Sequence, residues 1–260
     1  MKKYLLVTKI SIQDTMQYRF DFVLRTLKYA TMVILMSLVW IGVQKSGDNQ
    51  IMASDQTVRY FFLAAILYSL SNLHTWYIDE DIKLGYLSKF LLKPISPVWH
   101  YFSFESGTII LETLFKFLVI LPILYLLGYS LNAGLGDFAL LLLFMPIIFI
   151  FTFSLYSLIS GLCFWFNDVF AIRWSLLIVI RFLSGVLVPI SFFPQLFQQI
   201  SFFLPFQHLA YTPIQMMNHE LPKTTALAGL GILCGWIVVV TYLRDLLWRA
   251  GSKSYESTGI

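Results

Sequence analysis

Charged residues are scarce in this sequence. Asp, Glu, Lys and Arg account for 12% of its 260 residues, well below the roughly 25% that soluble domains contain. Cysteine is also rare: Cys163 and Cys234 both fall inside apolar runs, and their spacing fits neither a disulfide framework nor a metal site. These deficits argue against a soluble domain and against a disulfide-stabilised secreted fold.

The sequence also lacks the common catalytic motifs. It has no G-x-x-x-x-G-K-[ST] loop to hold nucleotide phosphates and no H-E-x-x-H zinc motif. No serine or cysteine lies in a nucleophile elbow, and the four histidines are scattered along the chain. We therefore expect no catalytic site, no metal site and no cofactor on this chain.

Apolar residues are abundant instead. They make up 58% of the chain, and the mean hydropathy is +0.75. Apolar runs that are long enough to cross a bilayer as helices recur throughout the sequence. We predict an all-α integral membrane protein with one transmembrane domain over residues 1–260. A predicted amphipathic helix at residues 1–26 precedes six predicted spans, at residues 27–43, 57–78, 106–127, 137–166, 172–188 and 224–247.

The basic residues are unevenly distributed between the two ends of these spans. With the amino terminus inside, only Lys45, Arg59 and Lys223 lie on or near the outer side. Because Lys and Arg concentrate on the cytoplasmic side of membrane proteins, both termini are expected in the cytoplasm. Membrane orientation thus explains the net charge of +4 without a nucleic-acid partner. The cytoplasmic set is Lys2, Lys3, Lys9, Arg19, Arg25, Lys28, Lys83, Lys89, Lys93, Arg173, Arg244, Arg249 and Lys253.

One long polar stretch, residues 79–101, separates the second and third predicted spans. It reads DEDIKLGYLSKFLLKPISPVWHY and mixes apolar residues with lysines, so a helix here would have an apolar flank and a charged flank. Asp81 is suited to cap such a helix and Pro94 to end it. We predict that this stretch is a docking element on the cytoplasmic face.

A second irregular stretch, residues 189–223, contains five prolines yet remains rich in Phe and Leu. It is too broken for a span and too apolar for a solvated loop. Backbone that leaves the helical state near lipid has to be covered by protein or line a wet cavity. We predict short interfacial or re-entrant helices on the outer side, at residues 194–203 and 207–218. In the last span, Gly231 and Gly235 have the spacing of a helix-packing face.

Three charged residues fall inside predicted spans. Glu112 and Lys116 are four residues apart, so they share a helix face and can pair. Arg181 lies at a similar predicted depth, which makes a three-member network feasible. Two interpretations remain open: the three residues line a substrate path or gate, or they form a buried ion cluster that holds the register of the helices.

Both irregular stretches resemble signatures of a known family. IDEDIKLGYLSKFLLKPISPVWHYF is similar to the segment after the second span of type-2 ABC transporter permeases, with its [acidic]-I-x-x-G-x-L-x-x-x-L-L-[KR]-P-[IL]-[SN]-P pattern. The outer sequence SGVLVPISFFPQLFQQISFFLPFQHLAYTP resembles the G-x-x-x-P-x-x-x-[FL]-P signature of that family, followed by L-P-[FL]. The two motifs occur in the family's order, and the resemblance covers nearly the whole chain.

The resemblance implies six helices per permease, a coupling helix between spans two and three that engages a separate ATPase subunit, and an outer gate. It implies a complex of two permeases, identical or paralogous, with two ABC ATPase subunits that bind ATP and Mg. The matching coupling residues are Asp79, Glu80, Asp81, Lys83, Gly85, Leu87, Leu91, Lys93 and Pro94. The matching outer residues are Gly185, Pro189, Pro194, Leu204 and Pro205. A solvated loop, and prolines that merely end helices, are the alternatives for these two sets.

We therefore expect a permease subunit of an ATP-driven exporter in the bacterial inner membrane, without catalytic activity of its own. The many Phe and Met residues suit an amphipathic or hydrophobic substrate, such as a drug, a lipid or a peptide. Two other classes remain open. A secondary transporter would favour broken helices in two related halves, and no such repeat is visible in the sequence. A membrane scaffold without transport would leave the docking element unexplained.

Overall fold

Helices form all the regular structure in the computed structural model, which describes residues 2–46, 54–92, 95–131, 133–253 and 255. Turns of 3-10 helix occur at Gly161–Phe164, Ile190–Phe192 and Phe206–Leu209. The α-helices are α1 Lys2–Gln17, α2 Arg19–Ser46, α3 Ser54–Ser71, α4 Trp76–Lys83, α5 Ser88–Leu91, α6 Pro97–Leu126, α7 Leu135–Ser160, α8 Phe170–Leu183, α9 Gln195–Phe203, α10 Tyr211–Met217 and α11 Lys223–Lys253.

Within the described residues, three helical segments are long and apolar enough to cross a membrane: Pro97–Leu126, Leu135–Phe164 and Lys223–Lys253. A shorter apolar segment, Leu27–Val43, lies within α2. Helix α8 has only 14 residues and is therefore about 21 Å long, less than the roughly 30 Å of a bilayer's hydrocarbon core. The all-helical class is confirmed for the described residues, whereas the number of six spans stays a prediction.

The amino-terminal region differs from the predicted division at residue 26. Helix α1 ends at Gln17, and α2 runs without interruption from Arg19 to Ser46. The predicted amphipathic helix is therefore shorter, and the first predicted span lies within a longer helix. The break falls just after Thr15, whose hydroxyl lies 3.4 Å from the Thr108 hydroxyl on α6. Helix α1 thus ends where its contacts with α6 end.

Small polar residues hold α1 tightly against α6. Ser11 is fully buried, and its hydroxyl donates to the Phe104 carbonyl at 2.5 Å. The Thr8 hydroxyl donates to the Ser103 carbonyl at 2.9 Å. Gly107 makes this approach possible, because a Cβ there would lie 2.6 Å from the Thr8 carbonyl oxygen. On its exposed side α1 carries the apolar residues Leu5, Leu6, Ile10 and Met16.

Helix α3 forms the centre of the fold and is buried along almost its whole length. It packs against α2, α6, α7 and α10. Two backbone carbonyls at its carboxyl end accept hydrogen bonds from α7 side chains. The Thr152 hydroxyl on α7 donates to the Leu70 carbonyl at 2.6 Å, and the Tyr156 hydroxyl donates to the Ser71 carbonyl at 3.1 Å.

Helix α11 packs along α7, but not through the predicted glycines. A Cβ at Gly231 or Gly235 would meet nothing within 4 Å, so neither residue packs against another described part of this chain. The close approaches are at Gly229, next to His208, and at Gly161 of the 3-10 turn, next to Trp248. The Trp248 indole also donates to the Ser157 carbonyl at 2.7 Å.

Replacing Gly107 with Ala tests the packing of α1. The new methyl group would overlap Thr8 and lie 2.9 Å from the Ser11 Cβ, and such overpacking costs about 1–3 kcal/mol. We expect a lower midpoint of thermal unfolding in detergent and faster proteolysis within α1. Gly231→Ala is the matched control, since its methyl group meets open space and Ala is the better helix former. Equal behaviour of the two variants would contradict this packing.

Candidate functional site

The polar stretch between α3 and α6 is folded into two short helices, α4 and α5, joined by a turn at Gly85. Gly85 has φ +77°, a left-handed conformation that glycine adopts readily. The backbone N–H of Leu87 donates to the Asp81 carbonyl at 2.9 Å, and the Ser88 hydroxyl donates to the Gly85 carbonyl at 2.7 Å. In its described residues the stretch is therefore an ordered hairpin and not a solvated loop.

The helix ends differ from those predicted for this stretch. Helix α4 begins at Trp76, so Asp79 and Asp81 lie inside it, and Asp81 is not a cap. Instead, its carboxylate accepts a hydrogen bond of 2.9 Å from the Tyr101 hydroxyl and lies 3.9 Å from the Lys89 ammonium. Residues 97–101 belong to α6, because Pro97 favours the first turn of a helix.

A buried ion pair between Asp79 and Arg173 joins α4 to α8. The Arg173 Nε donates to Asp79 Oδ2 at 3.0 Å, and Nη2 donates to Asp79 Oδ1 at 2.6 Å. Each residue is only 7% exposed. A bidentate pair of this kind is directional and strong, so it holds the rotation of α4 relative to α8.

The remaining donors of Arg173 are also used. Its Nη1 donates to the Thr75 hydroxyl at 2.5 Å, and Nη2 donates to the Ser160 hydroxyl at 2.8 Å. The guanidinium lies 5.5 Å from the centroid of the Tyr156 ring. Arg173 therefore connects α4, the end of α7 and the start of α8. From the sequence, Asp79 was predicted to contact the ATPase and Arg173 only to orient the chain; the structure assigns both to the interior.

A second, exposed ion pair lies beside the first. The Lys83 ammonium donates to Asp168 Oδ1 at 3.0 Å. The backbone N–H of Phe170 also donates to this carboxylate, at 3.0 Å. The Phe170 amide, and then the Lys83 ammonium, hold the pKa of Asp168 below its usual value. Asp168 therefore stays ionised at neutral pH, and a weaker link ties α4 to the turn before α8.

Leu87, a predicted docking residue, is fully buried. It lines a cavity that also borders Pro97 at the start of α6 and Trp248 near the end of α11. Ile78 and Ile82 form the buried face of α4. We therefore assign Leu87 to the interior of the protein, where it cannot contact a partner.

Other side chains of the stretch are exposed. Leu84 is 57% exposed, Tyr86 53% and Leu92 87%, and the Lys89 ammonium lies 4.8 Å from the centroid of the Tyr86 ring. Glu80 lies one turn before Leu84, on the same exposed side of α4. We call these five residues, Glu80, Leu84, Tyr86, Lys89 and Leu92, the docking surface. The spacing of four between Glu80 and Leu84, opposite Ile78 and Ile82, is the sequence signal that would have identified it.

For three predicted coupling residues, the structure describes little or nothing. Lys93 and Pro94 lie outside the described residues, and Leu91 is described only as the last residue of α5. Asp79, Glu80, Asp81, Lys83, Gly85 and Leu87 are brought together in the hairpin, but only Glu80 and Lys83 have exposed side chains. No group of three or more His, Cys, Asp or Glu among the described residues could hold a metal ion.

The predicted outer residues begin helical turns. Pro189, Pro194 and Pro205 stand immediately before the 3-10 turn Ile190–Phe192, helix α9 and the 3-10 turn Phe206–Leu209. Prolines at such positions do not interrupt a helix, since they precede its first hydrogen bonds. Leu204 links α9 to Pro205 and donates its N–H to the Ser201 carbonyl at 3.1 Å. The role of these residues as a gate stays a prediction.

Gly185 ends α8 in a left-handed conformation with φ +83°. The Tyr60 hydroxyl on α3 donates to the Gly185 carbonyl at 2.7 Å, and a Cβ at Gly185 would lie 2.7 Å from the same hydroxyl. The Tyr211 N–H donates to the Ser184 carbonyl at 3.0 Å. This turn therefore binds residues 189–223, which we call the outer segment after their predicted location, to α3, and it explains why a glycine is needed here.

His208 is fully buried in the outer segment. Its ring nitrogens lie 2.9 Å from the Thr212 hydroxyl and 2.8 Å from the Phe202 carbonyl. Burial lowers the pKa of His208 to about 4, because a charged imidazolium is poorly solvated in the interior. His208 is therefore a neutral structural hydrogen-bonding residue at physiological pH.

The three predicted intramembrane charges are joined through tyrosines. The Lys116 ammonium lies 3.5 Å from the Glu112 carboxylate and 4.1 Å from the centroid of the Tyr29 ring. The Arg181 guanidinium lies 5.0 Å from the centroid of the Tyr68 ring, and the Tyr29 and Tyr68 rings are in edge contact at 5.8 Å. Glu112 and Lys116 pair as predicted from their spacing, but Arg181 reaches them only through the two rings.

Breaking the buried ion pair on one side should destabilise the protein strongly. Arg173→Met leaves the Asp79 carboxylate buried without its cation, which costs about 3–5 kcal/mol. We expect a large fall in the midpoint of unfolding in detergent. The double variant Arg173→Met, Asp79→Leu should recover much of this loss, because it leaves no buried charge.

The exposed pair provides the control. Lys83→Ala removes the contact with Asp168 and should change the unfolding midpoint very little. A loss with Lys83→Ala as large as that with Arg173→Met, or a double variant that is as unstable as the single one, would refute the structural role of the pair.

The comparison with known families agrees with this architecture. Residues 26–259 match the family model described as ABC-2 family transporter protein, a range that includes the hairpin, the buried ion pair and the outer segment. A comparison with curated proteins found no match. Members of the family are membrane permease components of ABC transporters, and such components associate in general with ABC ATPase subunits. Since the match covers nearly the whole chain, this protein belongs to the ABC-2 transporter family.

Proposed function

We propose that this chain is the permease subunit of an ATP-driven exporter in a bacterial inner membrane. In this proposal the chain has six spans, five of them within α2, α3, α6, α7 and α11. The other is the segment 172–188, which continues beyond the end of the short helix α8. Both termini lie in the cytoplasm. Two copies of an ABC ATPase subunit bind ATP and Mg, and a second permease, identical or paralogous, completes the complex. The cargo is amphipathic or hydrophobic, such as a drug, a lipid or a peptide, and moves outward.

The docking surface is the observation that carries this proposal. It combines three exposed apolar side chains, Leu84, Tyr86 and Leu92, with Glu80 and Lys89 of opposite charge. The hairpin that carries it is held by buried side chains, such as Ile78, Ile82 and Leu87, and by the hydrogen bonds of Asp81 and Ser88. A patch with apolar anchors and a polar rim is typical of a protein interface.

A mechanical path leads from this surface into the membrane. When ATP binding closes the two ATPase subunits, they displace α4 and α5. The Asp79–Arg173 pair passes the displacement to the start of α8, and α8 passes it to the turn at Gly185 and so to the outer segment. For transport to follow, the ATPase has to contact the docking surface differently in its two nucleotide states.

Charged substitutions on the docking surface should release the ATPase without unfolding the permease. For Leu84→Asp and Leu92→Asp we expect about a tenfold loss of the ABC ATPase that co-purifies with the tagged chain, since anchors of an interface contribute at least that much. ATP-dependent transport should fall in parallel, while the unfolding midpoint stays unchanged, because both side chains are exposed.

Two leucines serve as controls. Leu196 on α9 is 69% exposed and lies on the proposed outer side, so Leu196→Asp should retain the ATPase. Leu87→Asp places a charge in the interior and should destabilise the whole protein. Full ATPase recovery and normal transport in both Leu84→Asp and Leu92→Asp would exclude the docking role, and gradient-driven transport without ATP would favour a secondary transporter.

The orientation of the chain has a direct test. In a variant with Cys163 and Cys234 replaced by Ser, we place a single cysteine at Glu80 or at Gln199, both of which are exposed. A membrane-impermeant maleimide should label Gln199→Cys in intact cells and Glu80→Cys only in inverted membranes. The reverse pattern, or labelling of both sites in intact cells, would show that the docking surface does not face the cytoplasm.

A further inference from the structure

Arg181 is a charged residue within a predicted membrane span. Its charge has no role in the proposed path from the docking surface to the outer segment. It lies in the last turn of α8, about 16 Å along the helix from Phe170. Its guanidinium lies over the Tyr68 ring at 5.0 Å, and no carboxylate of the described residues forms an ion pair with it. Arginine does not lose its proton in proteins, so a net positive charge persists at this position.

Two hydrogen-bond donors at this position are buried and unused. The Arg181 Nε lacks a hydrogen-bond partner in the described part of the chain. Among the described residues, the only polar group beside the Tyr68 hydroxyl is Arg181, which is a donor and cannot accept the hydroxyl proton. Lys116, by contrast, is paired with Glu112 on its own helix. Buried donors are rarely left unsatisfied, and ionisable residues inside membranes generally mark functional sites. The unused donors therefore need an acceptor from outside the described chain.

Both side chains line a small cavity between α2, α3 and the end of α8. Its volume is about 30 Å³, and its other walls are apolar, among them Met32, Met36 and Phe61. Since one water needs about 10–15 Å³ of such space, the cavity has room for roughly two oxygen atoms. A carboxylate has this size and accepts from both donors, whereas a phospholipid headgroup is too large to enter fully.

We propose that Arg181 and Tyr68 bind the carboxylate of an amphipathic acid whose hydrocarbon chain extends from the cavity into the surrounding lipid. This inference rests on the proposed function, because it makes anionic amphiphiles the cargo class of the exporter. The guanidinium supplies the charge, and the Tyr68 hydroxyl supplies a second hydrogen bond. The apolar surroundings favour a ligand that enters from the lipid and disfavour a small hydrophilic anion.

Trp40 is a natural reporter for the cavity. Its indole donates to the Leu187 carbonyl at 3.1 Å, and Leu187 lines the cavity. A brominated fatty acid that occupies the site should therefore quench Trp40 fluorescence. The part of the fluorescence quenching that is lost in the Trp40→Phe variant comes from this site. This difference distinguishes Trp40 from the other six tryptophans of the chain.

The experiment compares dibromostearate with its uncharged methyl ester, titrated into the full chain in phosphatidylcholine nanodiscs. The measurement is made at about pH 8.5, so that the probe is ionised despite its apolar surroundings. We expect the acid to quench the Trp40 component with an affinity about tenfold higher than the ester, because a charge-assisted hydrogen bond is available only to the acid.

Variants assign this preference to Arg181. Arg181→Gln should abolish the preference for the acid, and Arg181→Lys should retain part of it. Arg59→Gln, which removes an arginine at the start of α3, is the matched control and should leave it intact. Equal affinities for acid and ester in the wild type, or an unchanged preference in Arg181→Gln, would overturn the proposal.

A second arm distinguishes a carboxylate ligand from lipid phosphate. Replacing part of the phosphatidylcholine with phosphatidylglycerol should not displace the acid if the cavity selects a carboxylate by size; displacement would assign the site to anionic lipid and overturn the proposal. None of these measurements involves the ATPase. Failure of the docking variants would therefore refute the proposed function while acid binding stays intact, and the reverse outcome would refute the cargo class alone.

Discussion

A buried bidentate ion pair between Asp79 and Arg173 holds α4 against the start of α8. Two charges that leave water lose several kcal/mol of solvation each, so the pair is tolerated only because its geometry is good and the remaining donors are satisfied. Thr75 and Ser160 meet that requirement. Because the pair is directional, it orients α4, and this orientation decides which side chains the hairpin buries and which it leaves exposed.

The short helix α8 connects the two ends of the molecule. Its first turn contains Arg173, its last turn contains Arg181, and the glycine turn that follows is hydrogen-bonded to Tyr60 of the central helix α3. In the proposed mechanism, a movement at the hairpin would reach the outer segment through this helix and its hydrogen-bonded turn. The outer segment itself is well packed, with Leu209, Ala210 and Ile214 fully buried.

The two cations in the apolar zone have different surroundings. Lys116 is neutralised by Glu112 and lies on the Tyr29 ring, which agrees with a role in helix register. Arg181 keeps its charge and has an unused donor beside a cavity. These surroundings agree with a structural role for the Glu112–Lys116 pair, whereas the proposed ligand-binding role concerns Arg181 alone.

Composition, apolar runs and the two signature motifs were sufficient to predict an all-helical membrane protein of this family, because these properties are local along the chain. Gly85 and Gly185 were matched to the two signatures from the sequence, but their left-handed conformations became evident only from the structure. The partner of Asp79 was not predictable, because Arg173 is 94 residues away and no local pattern tells which helix faces meet.

Leu87 and Leu92 likewise look alike in the sequence. Leu87 is buried only because α6 and α11 pack against the hairpin, whereas Leu92 stays exposed.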